Sequence, residues 1–136
     1  MPIKIKRKDF SINGRIDNLI LLKIDNKKFL LEVKSTKLLP DEPKKDHIMQ
    51  LQLYMYATGI WAGILLYTQK DNLQTKSFDI RCRKQTIKRI LERFELLHES
   101  LTKNQMPIAE SKMSKDKIWM CNYCAYEKEC QDAGKV

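Results

Sequence analysis

Residues Ile60–Tyr67 form an unbroken apolar run of eight residues, with Gly59 before it and the turn formers Lys70-Asp71-Asn72 soon after. The run is too short to span a bilayer, which takes ~18 apolar residues or more. It has the length and bounds of a buried central strand, read here as Trp61 to Thr68. Such a strand presents apolar side chains to both faces of a sheet, so both faces need covering.

The neighbouring patterns supply the rest of the sheet and its cover. Ile16 to Ile24 and Phe29 to Lys34 read as two strands, and the turn formers Asp25 and Asn26 between them make a β-hairpin. Ser35 to Asp46 holds Pro40, Pro43 and a series of charged residues, and reads as an exposed loop. Asp46 is placed to cap a helix from about His47 to Thr58, which Gly59 ends. Leu73 to Arg81 reads as a further strand with Phe78 and Ile80 on one face. Ile87, Ile90, Leu91, Phe94, Leu97 and Leu101 recur at helical spacing, giving an amphipathic helix over about Lys84 to Lys103 that packs on the sheet. The order strand, strand, helix, strand, strand, helix is met by an α/β fold, one mixed β-sheet flanked by helices. Residues 1–107 form its core and 108–136 a short cysteine-rich C-terminal appendage packed on it, within a single domain overall.

The chain has 136 residues and a formal net charge of +9, from 26 Lys and Arg against 17 Asp and Glu. That excess favours a polyanionic partner such as nucleic acid. Lys4, Lys6 and Lys8 share one face if the N-terminus is extended, and Lys84 and Lys88 open the last helix, so these five are the candidate DNA-binding residues. The first eight residues are basic without the apolar core of a signal peptide, and no membrane partner is expected. Cys82, Cys121, Cys124 and Cys130 suit a metal site better than a disulfide framework, which points to the reducing cytoplasm.

Two clusters carry chemistry. In the first, Asp17 lies on one arm of the hairpin and Glu32-Val33-Lys34 on the other. Residues i and i+2 of a strand share a face, so Glu32 and Lys34 stand side by side. Two carboxylates suit Mg²⁺ or Mn²⁺, and a lysine beside them can orient a water and stabilise developing negative charge. An ordinary solvated hairpin face is the competing account. Gln50 and Tyr54 follow at i and i+4 on the helix and share a face there; Gln52 and Tyr56 repeat the pattern two residues later. In the second cluster, Cys121-x2-Cys124-x5-Cys130 lies beside Trp119, Tyr123 and Tyr126, a thiolate set suited to iron–sulfur or zinc.

Gly14-x-x-Asp17, Glu32-x-Lys34, Gln50-x-x-x-Tyr54 and the three clustered cysteines, in this order, resemble the RecB-like family of PD-(D/E)XK nucleases. The cysteines are similar to those of its iron–sulfur subgroup, which includes the CRISPR-associated RecB-type exonuclease and the nuclease domain of AddB-type helicase–nucleases. The resemblance runs from about Asp9 to Cys130. It implies a restriction-endonuclease-like fold and a Mg²⁺- or Mn²⁺-dependent DNase acting on single-stranded DNA or DNA ends. It implies that Asp17, Glu32 and the Val33 backbone carbonyl hold the metal, that Lys34 positions the water, and that Gln50 and Tyr54 position Lys34 or the DNA. His47 matches a frequent residue of that helix. The resemblance further implies a 4Fe–4S cluster, with zinc as the alternative, and a role in trimming DNA for CRISPR spacer acquisition alongside the integrase proteins. A stand-alone viral or plasmid nuclease and a non-catalytic DNA-binding scaffold on the same fold are the competing functions. RNA also competes as substrate, since no residue singled out reads a 2′-hydroxyl. The family's fourth cysteine lies upstream of the acidic motifs, whereas no cysteine here precedes Cys82. A three-cysteine site is expected, with Cys82 as a bystander thiol or, failing that, the fourth ligand.

Overall fold

A computed structural model describes residues 1–16, 18–21, 28–109, 111 and 115–134, and of residues 18, 19, 21 and 115–117 the backbone alone. It divides into two compact units, Met1–Leu91 and Glu92–Val136.

The first unit opens with a hairpin absent from the expected element order. β1 (Pro2–Lys6) pairs antiparallel with β2 (Ser11–Arg15), Ile3 opposite Gly14 and Ile5 opposite Ile12. Strict alternation explains it: Ile3, Ile5 and Ile12 are buried while Lys4 and Lys6 face solvent. Lys8 lies beyond the end of β1, so it does not share a strand face with Lys4 and Lys6 as expected. Gly14 lets the hairpin close down: a Cβ there would stand 3.2 Å from both Ile3 Cγ1 and Tyr54 Cε1.

Four further strands form a mixed sheet in the order β3-β4-β5-β6. β3 (Asn18–Leu21) and β4 (Lys28–Thr36) are antiparallel, β4 and β5 (Ala62–Gln69) parallel, β5 and β6 (Thr75–Arg81) antiparallel. Of the expected first strand, Ile16 to Ile24, β3 covers Asn18–Leu21; Ile16 lies before it and bonds the Met1 backbone, and residues 22–27 with the turn residues Asp25 and Asn26 lie outside the described residues.

Parallel β4 and β5 need a crossover. α1 (Lys45–Thr58) provides it, laying Leu51, Tyr54 and Met55 against Leu30, Leu65 and Tyr67 in one core cluster. Gly63 sits where this packing is tightest; a Cβ would meet Met55 Cε at 2.8 Å and the Leu30 carbonyl at 3.0 Å. Gly59 ends α1 with φ +70°, its N–H donating to the Met55 carbonyl, as the sequence predicts. The start differs. Lys44 is the N-cap, with no side-chain cap, and Asp46 lies inside the first turn, where its charge suits the helix dipole.

α2 (Lys84–Thr102) follows, with Ile87, Ile90 and Leu91 buried. Its apolar stripe is not buried throughout as expected: Leu97 and Leu101 are exposed. In the second unit a 3₁₀ helix (Lys115–Tyr123) carries Cys121 and α3 (Glu127–Asp132) carries Cys130, with Cys124 in the link between them. No helix among the described residues is long and apolar enough to cross a membrane.

Candidate active site

Leu30, Glu32 and Lys34 alternate on the face of β4 that meets α1. Glu32 is 1% exposed. Burying a carboxylate is costly unless it is paired. Here Lys34 Nζ donates to Glu32 Oε1 at 2.6 Å, while Oε2 is sealed from solvent and has no partner among the described residues.

The lysine is itself held from α1. Lys34 Nζ donates to Gln50 Oε1 at 2.8 Å, and Gln50 Nε2 donates to the Tyr54 hydroxyl at 2.8 Å. Glu32, Lys34, Gln50 and Tyr54 therefore form one continuous chain across β4 and α1, uniting four residues singled out from the sequence. An ammonium has three N–H donors, and two are engaged among the described residues. The second Gln-x-x-x-Tyr pair serves elsewhere. Gln52, 1% exposed, donates to the Arg81 carbonyl and accepts from the Arg83 N–H, both at 2.7 Å, tying α1 to the end of β6. Tyr56 faces solvent.

Asp17 lies outside the described residues. The β3–β4 pairing runs up to Asn18 opposite Leu31, the chain neighbours of Asp17 and Glu32. Val33 is half-buried, opposite Leu66 of β5.

Sequence reasoning missed Tyr67, whose place in an apolar run reads as core. It is fully buried and stands opposite Lys34 in the β4–β5 register. Its hydroxyl accepts the Lys44 N–H at 3.0 Å and lies 2.8 Å from His47 Nδ1. The direction of the second bond follows from hydrogen-bond accounting. Were Nδ1 protonated and donating, the Tyr67 proton would lack an acceptor, at a cost of about 1–3 kcal/mol for a buried group. Tyr67 therefore donates to a bare Nδ1, and the neutral imidazole carries its proton on Nε2. Burial pushes the His47 pKa below 6.5, the Lys34 and Lys44 charges push the same way, and Asp46 opposes them.

Lys4, Lys6, Lys8, Lys84 and Lys88 are all exposed. Cys82 is half-buried against the first unit's core, and burial raises its thiol pKa, which disfavours thiolate. In the second unit the Cys124 N–H donates to the Cys121 carbonyl at 3.0 Å, giving the tight turn expected of Cys-x2-Cys. The expected convergence of Cys121, Cys124 and Cys130 on one point is not present. All are free thiols, Cys124 is exposed and Cys130 Sγ turns to Met106 Sδ at 3.5 Å. No three His, Cys, Asp or Glu side chains gather as a metal-holding group among the described residues. The tail as it stands does not fit an iron–sulfur cluster or zinc.

The model of the PD-(D/E)XK nuclease superfamily matches residues 1–131. The chain belongs to that superfamily. The PD-(D/E)XK chain is 28% identical over 129 residues to the CRISPR-associated exonuclease Cas4 of Saccharolobus solfataricus, covering 94% of this chain and 56% of the relative. It thus spans little more than half the length of that protein. The crystal structure of SSO0001 shares the fold, with a TM-score of 0.63 at 24% identity, over 98% of this chain and 58% of the other. The mixed sheet flanked by helices is accordingly the restriction-endonuclease-like fold of the PD-(D/E)XK nucleases.

Proposed function

We propose that this nuclease is a deoxyribonuclease that requires Mg²⁺ or Mn²⁺ and acts on single-stranded DNA or DNA ends. The observation that carries the reading is the buried Glu32 carboxylate, with one oxygen on Lys34 and the other unpartnered among the described residues. An orphaned carboxylate oxygen suits a hard cation. Glu32 and Asp17 would hold it, together with the Val33 carbonyl. The ion supplies an activated water and neutralises charge on the scissile phosphate. Lys34, fixed by Glu32 and Gln50, would turn its third N–H, unpartnered among the described residues, to a phosphate oxygen or the attacking water. Tyr54 acts through Gln50, by fixing the amide that accepts from Lys34.

The net charge of +9 supports DNA as partner, with Lys4, Lys6, Lys8, Lys84 and Lys88 as its contacts. The Cas4 relative, by name a CRISPR-associated exonuclease, supports an exonuclease reading; a cytoplasmic role in trimming DNA for CRISPR spacer acquisition is the context we read for it, and a stand-alone viral or plasmid nuclease would use the same site. Residues 1–107 are read as the nuclease core and 108–136 as a cysteine-rich segment packed on it. A 4Fe–4S cluster or zinc on Cys121, Cys124 and Cys130 rests on spacing alone. Brown colour after anaerobic purification, lost in Cys124→Ser, would support the cluster; stoichiometric zinc in colourless protein would replace it.

The deciding experiment incubates an end-labelled single-stranded oligonucleotide with the protein in Mn²⁺, Mg²⁺ or EDTA. Cleavage that EDTA abolishes is expected. Salt-sensitive binding without cleavage in either metal would favour the scaffold reading.

A further inference from the structure

We propose that His47 contacts the substrate directly: its Nε2–H, held in that tautomer by Tyr67, donates to a phosphate oxygen of the DNA strand bound beside Lys34. The inference rests on the DNase reading of the site and extends it from β4 to β5.

Placement is the first argument. His47 and Gln50 are three apart on α1 and share its face. Gln50 reaches Lys34 on β4, and His47 reaches Tyr67, which stands beside Lys34 on β5. Two helix-to-strand pairs therefore lie next to each other along one edge of the α1–sheet seam.

Satisfaction of the polar groups is the second. Tyr67 has both an incoming and an outgoing hydrogen bond, so its hydroxyl is fully used. His47 Nδ1 is used as well. Its Nε2–H has no partner among the described residues, yet it is not among the side-chain atoms sealed from solvent. An open, oriented donor is thus left beside the lysine.

Charge is the third. A neutral imidazole can donate to a phosphate without adding like-charge repulsion against Lys34. Burial and the two lysines favour that neutral form.

The alternative is that His47 merely seats Tyr67, and two substitutions separate the cases. The amide nitrogen of glutamine reaches about as far as Nε2, whereas asparagine reaches only as far as Nδ1. A substrate-contacting His47 is mimicked by His47→Gln and lost in His47→Asn; a purely structural His47 gives the reverse order. Affinity for a fluorescent single-stranded oligonucleotide is measured in EDTA, and KM and kcat in Mn²⁺. His47→Asn should weaken binding and raise KM by about ten- to a hundredfold with kcat largely kept, the loss of one hydrogen bond to a charged group. His47→Gln should recover to within about threefold of wild type. Long-range ¹H–¹⁵N spectra of the metal-free protein should show His47 protonated at Nε2 and bare at Nδ1, and Tyr67→Phe should remove that preference.

Wild-type binding by His47→Asn with impaired His47→Gln would overturn the proposal, as would a proton on Nδ1. Circular dichroism identifies a variant that fails to fold, and the tautomer measurement on wild-type protein then decides. If wild-type protein fails to cleave in Mn²⁺, the nuclease reading falls, while the binding order of the two variants still tests the contact.

Discussion

Glu32 gives one carboxylate oxygen to Lys34 at 2.6 Å and keeps the other buried without a partner among the described residues. On the proposed reading the two oxygens of one side chain have separate tasks, one fixing the Lys34 ammonium and the other open to a divalent cation. Glu32→Gln keeps the shape and removes the charge. Metal-dependent cleavage should fall to background while oligonucleotide affinity in EDTA stays near wild type. Activity at the wild-type rate would sink the site assignment. Lys34→Ala should cut kcat by about 10²–10³, as for loss of a preorganised charge-stabilising donor.

Gln50 and Gln52 lie two residues apart on α1 and differ in what they hold. Gln50→Ala should impair turnover with little change in stability, because it releases Lys34 from α1. Gln52→Ala should do the opposite. It removes a buried side chain that pairs with the Arg81 carbonyl and the Arg83 N–H, with an expected loss of about 1–3 kcal/mol for the two hydrogen bonds. Urea denaturation with parallel cleavage assays separates the two, and equal effects on both readouts would contradict the assignment.

Gly63→Ala should destabilise the first unit by about 1–3 kcal/mol through overpacking. The backbone carbonyl of Leu30, 3.0 Å from the added carbon, cannot swing aside as the Met55 side chain can. A thermal midpoint unchanged from wild type would show that the β4–β5–α1 seam is looser than described.

Protonation of His47 is opposed in the folded state, so its folded pKa lies below the ordinary 6.5. Between those two values the unfolded chain binds the extra proton, and folding stability rises with pH. The neutral imidazole's contribution is therefore present above 6.5 and lost as pH falls through 6.5 toward the folded value. Urea midpoints at about pH 7.5 and about pH 5.5 should differ more in wild type than in His47→Gln, which does not titrate. The same difference in both proteins would assign the pH dependence to other groups.

Much of this was legible from pattern alone. β4, α1, β5 and β6 show clear periodicity or a continuous apolar run, and Gly59 marks a helix end that needs positive φ. Gln50 and Tyr54 follow from i, i+4 geometry once α1 is placed. What escaped was set by tertiary neighbours. Tyr67 reads as another apolar residue because its hydroxyl's partners, Lys44 and His47, come from a separate segment. Which of two Gln-x-x-x-Tyr pairs meets Lys34 depends on the rotation of α1, a property of packing. Asp46 has the chemistry of a cap, yet the helix begins earlier, with Lys44 at the N-cap and Asp46 already inside the first turn. Leu97 and Leu101 keep the helical period while facing solvent, which period alone does not reveal.

The parallel pairing of β4 with β5 also bears on how the protein reaches its native state. The hairpin arms β3 and β4 can find each other early, since few residues separate them. Lys34 meets Gln50 and stands opposite Tyr67 only after the chain from Thr36 to Ala62 has looped over and docked. Such non-local closure is slow compared with local contacts. The site around Lys34 is therefore completed late: a folding intermediate with the hairpin alone would hold Glu32 and Lys34 without Gln50, the partner that reaches the lysine from α1.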